Sequence, residues 1–298
     1  MVRVTQFSDT HFAADGPRSH GGFGYDTDAA WDAVFAHAFG VGSEGAAYQS
    51  DLVVITGDVA DHGLPSEYAK AAEKLSRIPC PANTIPGNHD FHVPFESGLP
   101  RPGLTMSRTL RMENWLFVFA DSNHAGKEIG ADGRLHDRHD RMEELPELGA
   151  DERAWLSETI EATDAEHAFI WVHHPPQAVG SFHSDAYDTE IEGLLRAHSK
   201  LKGVGAGHTH TDRVTELAGK PVFVCPALTI NIDFQAETLL PPGYRTYEFA
   251  TDGTVTSTCH LMDNEAWPRH KLPKPAVNWL MGTISYDDMV AQMKLPKP

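Results

Sequence analysis

Short, almost wholly apolar runs recur along the 298-residue chain, and they alternate with segments whose apolar residues return every three or four positions. The first kind of run predicts strands covered on both faces, and the second predicts helices that lie against a sheet. We predict strands at residues 2–7, 51–56, 83–85, 115–120, 168–172, 203–206, 214–217, 221–225, 244–249 and 255–260. We predict helices at residues 28–39, 66–78, 151–162 and 189–198.

This alternation predicts an α/β fold built as a four-layer α-β-β-α sandwich, with helices outside two packed sheets. The strand-rich last third suggests that the second sheet is the more antiparallel one. After residue 262 the chain becomes rich in Pro and Lys and contains Trp267 and Trp279. We therefore predict a main domain at 1–262 and a C-terminal extension at 263–298, packed on the domain or on a partner subunit.

Composition narrows the possible classes of protein. The formal net charge is −18, which argues against binding of a nucleic-acid polymer. The three cysteines lie far apart without a CxxC pair, so neither a disulfide framework nor a thiolate zinc site is indicated. The N-terminus lacks the pattern of a signal peptide, and no run approaches the ~20 apolar residues that span a bilayer. We expect a cytoplasmic protein that does not bind membranes.

Metal-ligand residue types directly follow five of the predicted strands. These groups are Asp9-Thr10-His11, Gly57-Asp58, Gly87-Asn88-His89-Asp90, His173-His174 and Gly207-His208-Thr209-His210. Because ligands of open α/β sheets sit beyond the carboxyl ends of strands, the five groups should converge on one crevice. Their donors are oxygen and nitrogen without sulfur, a set that suits Mn²⁺, Fe or Zn²⁺.

The spacing within the groups favours shared cations. Side chains two residues apart point the same way along an extended chain, so Asp9 with His11, and His208 with His210, can each bind one ion or bridge two. Asp58 follows a glycine, which lets the backbone approach the site closely. Its two carboxylate oxygens can join two cations, and we assign the bridge to it.

In this order the five motifs, D-x-H, G-D, G-N-H-D, H and G-H-x-H, resemble those of the calcineurin-like metallophosphoesterase superfamily. Within it, the run 56–63 with Pro65, Glu67 and Tyr68, and the runs 23–26 and 173–176, are similar to one bacterial branch. That branch contains class III cyclic-nucleotide phosphodiesterases and glycerophosphodiesterases. The resemblance covers residues 2–262 and implies the metallophosphoesterase fold, with the C-terminal extension added to it.

The resemblance implies a hydrolase that cleaves a small phosphodiester with a hydroxide bridging two divalent metal ions. It implies a first ion bound by Asp9, His11, Asp58 and His210 and a second bound by Asp58, Asn88, His173 and His208. Catalytic roles fall to Asp58 and to His89, which would protonate the leaving oxygen, and substrate binding falls to Asn88, His89 and His210. The choice of His173 over His174 follows the family pattern, and Asp90 is expected to orient a histidine.

Several questions stay open at this stage. The substrate is a cyclic nucleotide, a glycerophosphodiester or a similar small diester. The alternatives are a phosphomonoesterase or nucleotidase that uses the same site, and a non-catalytic metal-binding scaffold. The branch often dimerises through its C-terminal region, so the resemblance implies a homodimer or a higher homo-oligomer.

Loop residues next to the motifs could line a substrate pocket: His20, Tyr25, Phe91 and His92. Many cyclic-nucleotide members continue G-N-H-D with Asp-Arg, where this chain has Phe91-His92. The alternating charges of residues 136–141 indicate an exposed loop or helix face rather than a metal site.

Overall fold

The computed structural model describes residues 1–14, 25–40, 49–124, 127–129, 135–137 and 145–294. The strands are β1 Val2–Phe7, β2 Leu52–Thr56, β3 Ala82–Ile85, β4 Leu104–Thr105, β5 Thr109–Met112, β6 Trp115–Phe119, β7 Lys127–Ile129, β8 Leu135–Asp137, β9 His167–Trp171, β10 Leu201–Ala206, β11 Arg213–Leu217, β12 Lys220–Val224, β13 Asn231–Asp233, β14 Thr238–Leu240, β15 Gly243–Phe249, β16 Val255–Leu261 and β17 His270–Lys271. The helices are α1 Thr27–Phe39, α2 Pro65–Leu75, α3 His92–Gly98, α4 Gly149–Ala162, α5 Asp185–Ala197, α6 Lys274–Leu280 and α7 Tyr286–Met293.

Two six-stranded mixed sheets form the centre of the molecule. The first has the order β16-β15-β1-β2-β3-β4, and the second has the order β11-β12-β10-β9-β6-β5. Within the first sheet β1, β2, β3 and β4 run parallel to one another, and within the second β6, β9, β10 and β12 do the same. The expectation of a more antiparallel second sheet was wrong, because β15 pairs antiparallel with β1 and thereby adds β15 and β16 to the first sheet.

Three apolar clusters separate four layers and confirm the predicted sandwich. Aromatic side chains fill the space between the sheets, with Trp171 packed edge-on to Tyr247 and Trp115 edge-on to Phe249. A second cluster joins the outer face of the first sheet to α1 and α2. A third joins the outer face of the second sheet to α4 and α5. Both sheets are therefore covered on both faces, which explains their continuous apolar strands.

Local capping sets the helix ends that periodicity placed only approximately. Helix α1 begins where the Asp26 side chain accepts a hydrogen bond from the backbone N–H of Ala29, and it ends at Gly40, whose φ is 66°. Helix α5 begins four residues before the predicted start, because the Ser184 hydroxyl caps the N–H of Tyr187. Small polar residues at the N-cap satisfy backbone donors that a helix leaves unpaired.

The C-terminal extension packs on the first outer layer. Four of its buried apolar residues belong to the same cluster as α1 and α2: Trp267, Leu272, Val277 and Leu280. Strand β17 adds to a small sheet of order β13-β14-β17. The division of the chain at residue 262 stays a prediction. None of the helices in the described ranges has both the length and the apolar character needed to cross a bilayer.

Candidate metal centre

The five motif loops leave the two sheets at one edge and are tied together by hydrogen bonds. The backbone N–H of Asp9 donates to the carbonyl of Gly57 at 3.1 Å, which joins the loops after β1 and β2. The N–H of His208 donates to both carboxylate oxygens of Asp9, at 3.0 and 3.1 Å, which joins the two sheets. The N–H of His89 donates to Asp58 Oδ1 at 2.9 Å. The convergence predicted from the strand ends is thus seen in the structure.

One group of donors lies on the β1 side of this crevice. Ligand atoms of four buried or half-buried residues all lie within 4.8 Å of one another: Asp9, His11, Asp58 and His210. His11 Nε2 and His210 Nε2 are 3.2 Å apart, and His210 Nε2 is 3.3 Å from Asp9 Oδ1. With metal–ligand bonds of about 2.0–2.2 Å, donors on one cation lie about 3.0–3.5 Å apart. These donors therefore fit a divalent cation.

A second group lies on the β9 side. His173 Nε2 is 3.0 Å from Asn88 Oδ1, 3.2 Å from His208 Nδ1 and 3.3 Å from Asp58 Oδ2. The same Asp58 Oδ2 is 3.7 Å from His11 Nε2 in the first group. Asp58 therefore contacts a member of each group, as a residue bridging two cations must. His174 also lies within reach of His173 and His208, while its Nδ1 is bonded to Ser122 Oγ at 2.8 Å.

The backbone at the centre is held in an unusual conformation. Five of the ten described non-glycine residues with positive φ belong to the two donor groups: Asp9 at 53°, His11 at 42°, Asp58 at 49°, His208 at 67° and His210 at 50°. The left-handed region costs an L-residue about 1–2 kcal/mol. Such strain persists where surrounding contacts enforce it, and it concentrates at functional sites.

Three glycines let the loops approach one another. Gly57 has a φ of +86°, and a Cβ added there would lie 2.6 Å from His173 Nδ1 and 2.7 Å from the nitrogen of Gly87. A Cβ on Gly87 would collide with Asp58, and one on Gly207 would collide with Ser8. The interpretation of the glycine before Asp58 as a point of close backbone approach is confirmed.

Residues 2–212 match the family model described as calcineurin-like phosphoesterase. The chain belongs to the calcineurin-like phosphoesterase family. The match spans all five motif loops, and it confirms the family that their order predicted. Family membership and the His/Asp cluster together support a divalent-metal site.

The chain is similar in sequence to proteins named as phosphodiesterases. The chain is 25% identical over 275 residues to 3′,5′-cyclic adenosine monophosphate phosphodiesterase CpdA of Escherichia coli, covering 88% of this chain and 90% of that protein. It is 23% identical over 281 residues to the protein named "Probable glycerophosphodiester phosphodiesterase GpdQ" of Arcobacter nitrofigilis, covering 87% and 93%. These names support the predicted enzyme class, a metal-dependent phosphoric ester hydrolase.

A solved structure supports the fold independently. A dimetal phosphatase from Danio rerio superposes with a TM-score of 0.59 at 16% identity, covering 87% of this chain and 98% of the phosphatase. At that level of identity the likeness concerns the fold. It confirms the layered architecture of the calcineurin-like phosphoesterases.

Charges within the centre prepare it for cations. Burial alone would raise the pKa of the Asp58 carboxyl, but His173 and His89 outweigh it and hold that pKa well below its ordinary value. Burial opposes a charge on His173, yet Asp58 raises the pKa of that imidazole to about 9. Burial and the neighbouring His174 hold the pKa of His208 well below its ordinary value. A cation bound by His173 would displace its proton, since only neutral imidazole is a ligand.

Residues that the sequence did not single out orient the donors. His11 Nδ1 lies 3.2 Å from Asp61 Oδ1, so a buried carboxylate supports the ring from the side opposite the site. His173 Nδ1 donates to the carbonyl of Thr56 at 2.7 Å. Partners of this kind fix the ring orientation of metal-binding histidines. The sequence feature that could have pointed to Asp61 is its position three residues after Asp58, in the loop that follows β2.

Asp90 has a different role from the one expected. It accepts hydrogen bonds from the backbone N–H groups of Val59, Ala60 and Gly87 and from the Tyr68 hydroxyl, each at 3.0 Å. Asp90 therefore joins the loops after β2 and β3, and the expectation that it orients a histidine is corrected. Asp61, rather than Asp90, lies beside Nδ1 of His11.

The candidate pocket residues take separate positions, and His20 lies outside the described residues. The Tyr25 hydroxyl donates to the carbonyl of Pro268 at 2.7 Å, so this side chain joins the main domain to the extension. The Phe91 ring packs against Gly63. His92 lies between two aspartates rather than within either donor group.

Proposed function

We propose that this protein is a phosphodiesterase that hydrolyses a small phosphodiester with two divalent cations. The observation that carries the proposal is the position of Asp58, whose Oδ2 lies 3.7 Å from His11 Nε2 and 3.3 Å from His173 Nε2. A carboxylate between two sets of oxygen and nitrogen donors is the arrangement expected of a dinuclear site. The names of the relatives from Escherichia coli and Arcobacter nitrofigilis favour diesters as substrates.

Each donor group is assigned one cation. The first is bound by Asp9, His11, Asp58 and His210, and the second by Asp58, Asn88, His173 and His208. When bound, the pair would neutralise the phosphate and lower the pKa of water that attacks it. Oxygen and nitrogen donors without thiolate accept Mn²⁺, Fe or Zn²⁺, and we propose the metals from this set.

The substrate is held next to the cations by neighbouring side chains. Asn88 and His210 are members of the two donor groups, His89 follows Asn88 in the same loop, and the three are assigned to phosphate binding. A net charge of −18 repels long polyanions, which favours a small substrate such as a cyclic nucleotide or a glycerophosphodiester.

His89 is assigned to the protonation of the leaving oxygen. Its Nδ1 lies 2.7 Å from the carbonyl oxygen of Asp61, which accepts only, so Nδ1 carries a proton. The hydrogen bond fixes the ring and directs its other nitrogen, Nε2, as the proton donor. Burial lowers the pKa of His89, so donation from Nε2 requires an anionic phosphate nearby to favour the doubly protonated ring.

The first experiment measures metal content and activity together. Purified protein should contain two divalent ions per chain, lose activity on chelation and recover it with Mn²⁺. Asp58→Asn should lose both ions and turnover of bis-nitrophenyl phosphate, whereas the control Asp164→Asn, whose side chain is 90% exposed, should keep them. An Asp58→Asn protein with two ions and full activity would refute the proposal.

The second experiment isolates His89. His89→Ala should keep both ions and lose turnover of diesters with unactivated leaving groups, while nitrophenyl esters, whose leaving group needs no proton, should be affected least. The exposed His270 on β17 provides the control His270→Ala. An unchanged rate on unactivated diesters would remove His89 from the reaction.

Two alternatives are outcomes of the same assays. A phosphomonoesterase would prefer nitrophenyl phosphate to the bis-nitrophenyl diester at equal metal content. A non-catalytic scaffold would turn over neither ester and would not need to contain two ions. Assembly into a homodimer or higher homo-oligomer through the C-terminal region stays a prediction, which the mass in solution measures.

A further inference from the structure

A hairpin is attached next to the centre through one histidine. Strands β7 and β8 pair antiparallel, and Lys127 and Asp137 are cross-strand partners at the base of the hairpin. His92 Nδ1 lies 2.8 Å from Asp137 Oδ1, and the backbone N–H of His92 donates to Asp137 Oδ2 at 2.8 Å. On the other edge of the ring, His92 Nε2 lies 2.9 Å from Asp121 Oδ2. Lys127 Nζ also donates to Asp121, so the hairpin base is held from both of its strands.

This geometry favours a charged histidine. Both ring nitrogens of His92 face carboxylate oxygens, and an ionised carboxylate only accepts hydrogen bonds, whereas a neutral imidazole has one N–H. The imidazolium donates at both edges. Among the residues that the structure describes, charged groups face it from the loop after β6 (Asp121), from β8 (Asp137) and from β7 (Lys127), and Glu152 of α4 accepts a hydrogen bond from the N–H of Asp121. With His92 charged, the row Asp137, His92, Asp121 and Lys127 has two charges of each sign.

The row lies beside the candidate centre. His92 follows His89 by three residues, so their Cα atoms are at most about 11 Å apart. Asp121 follows β6, whose neighbour β9 leads to His173. The Asn123 side chain donates to Asp121 Oδ1 at 3.0 Å and to the carbonyl of Pro86 at 3.3 Å, two residues before Asn88. The hairpin base is therefore attached on the side of the second donor group.

We propose that His92, Asp121 and Asp137 form an ionic clasp that fixes the base of the β7–β8 hairpin beside the second donor group and makes substrate capture depend on pH. His92 is in this view a positioning residue that acts through the hairpin. The inference rests on the proposed function for its effect on turnover, whereas the clasp itself is measured without substrate.

The direction of the pH dependence follows from the partners of His92. Burial alone would lower the pKa of His92, but the hydrogen bonds to Asp121 and Asp137 outweigh it and raise that pKa above its ordinary value. The clasp is complete at low pH and is lost as the pH rises through the raised pKa. In kcat/KM, the clasp should produce a decrease on the alkaline side, while kcat at saturating substrate should change less.

Three variants separate a clasp from a general structural role. His92→Gln removes the charge and should lower the protection of the hairpin amides on the order of tenfold, with a matching loss in kcat/KM and two ions retained. His92→Arg keeps a charge at every working pH, so it should keep kcat/KM and lose the alkaline decrease. Asp137→Asn should move that decrease to lower pH. His270→Gln should match the wild type throughout.

Two measurements without substrate distinguish failure of the clasp from failure of the proposed function. In the Zn²⁺-loaded protein, the proton resonances of His92 should titrate above its ordinary pKa. Hydrogen exchange in β7 and β8, at residues 127–129 and 135–137, corrected for the intrinsic pH effect, should speed up over the same range. Absence of turnover with these signals present would refute the diesterase and retain the clasp. Titration of His92 at or below its ordinary pKa, or a His92→Arg protein with the wild-type alkaline decrease, would overturn the clasp.

Discussion

Replacement of Gly57 by alanine should lower both the free energy of unfolding and the affinity for metal. Gly57 has a φ of +86°, which alone costs an alanine about 1–2 kcal/mol. The new Cβ would also lie 2.6 Å from His173 Nδ1 and 2.7 Å from the nitrogen of Gly87, and overpacking of this kind costs about 1–3 kcal/mol. We expect a total loss of about 2–5 kcal/mol in the free energy of unfolding.

The chain provides a matched control in Gly103. Its φ of +89° is nearly the same, but an added Cβ would have no atom within 4 Å. Gly103→Ala therefore measures the backbone strain, about 1–2 kcal/mol. The difference between the two variants measures the crowding around His173.

The metal affinity adds a second measure. The Cβ would push on the His173 nitrogen that donates to the carbonyl of Thr56 at 2.7 Å. Loss of such an orienting hydrogen bond weakens metal binding about 10–100-fold. Urea unfolding of the metal-free proteins gives the stabilities, and calorimetric titration gives the affinities. The reasoning is refuted if Gly57→Ala loses no more stability than Gly103→Ala and binds metal as the wild type does.

Three further changes follow from single contacts. Asp61→Asn removes the carboxylate 3.2 Å from His11 Nδ1, and this substitution should weaken binding of the first cation about 10–100-fold in a calorimetric titration. Wild-type affinity would contradict the orienting role of Asp61. Gly193→Ala, in the middle of α5 with no atom within 4 Å of the new Cβ, should raise the free energy of unfolding by about 0.5–1 kcal/mol, and a loss of stability would count against this. Trp267→Ala removes a buried ring whose centroid is 5.2 Å from that of Tyr25, and it should lower the free energy of unfolding by about 3–5 kcal/mol in a denaturant titration. An unchanged free energy of unfolding would contradict the packing of the extension on the core.

The amino-acid sequence was sufficient for the layers and for the composition of the centre. Strands covered on both faces have to be continuously apolar, so β1, β2, β6, β9 and β10 were visible as short runs. Where such runs end in Asp, Asn or His, the shared edge of parallel strands indicates that the side chains meet. The donors at Asp9, Asp58 and His173 could therefore be predicted to converge, although they are far apart along the chain.

The pairing of strands and the backbone conformation at the centre could be read only from the tertiary structure. A strand pattern does not name its neighbour, so the pairing of β15 with β1, which places β16 in the first sheet, was missed. Likewise, the left-handed backbone at Asp9, His11 and His208 has no sequence signal, because non-glycine residues adopt it only when contacts from elsewhere enforce it. The partnership of His92 with Asp121 and Asp137 arises in the same way. The sequence determined which donor atoms are present at the centre, and packing between distant loops decided how those atoms are oriented.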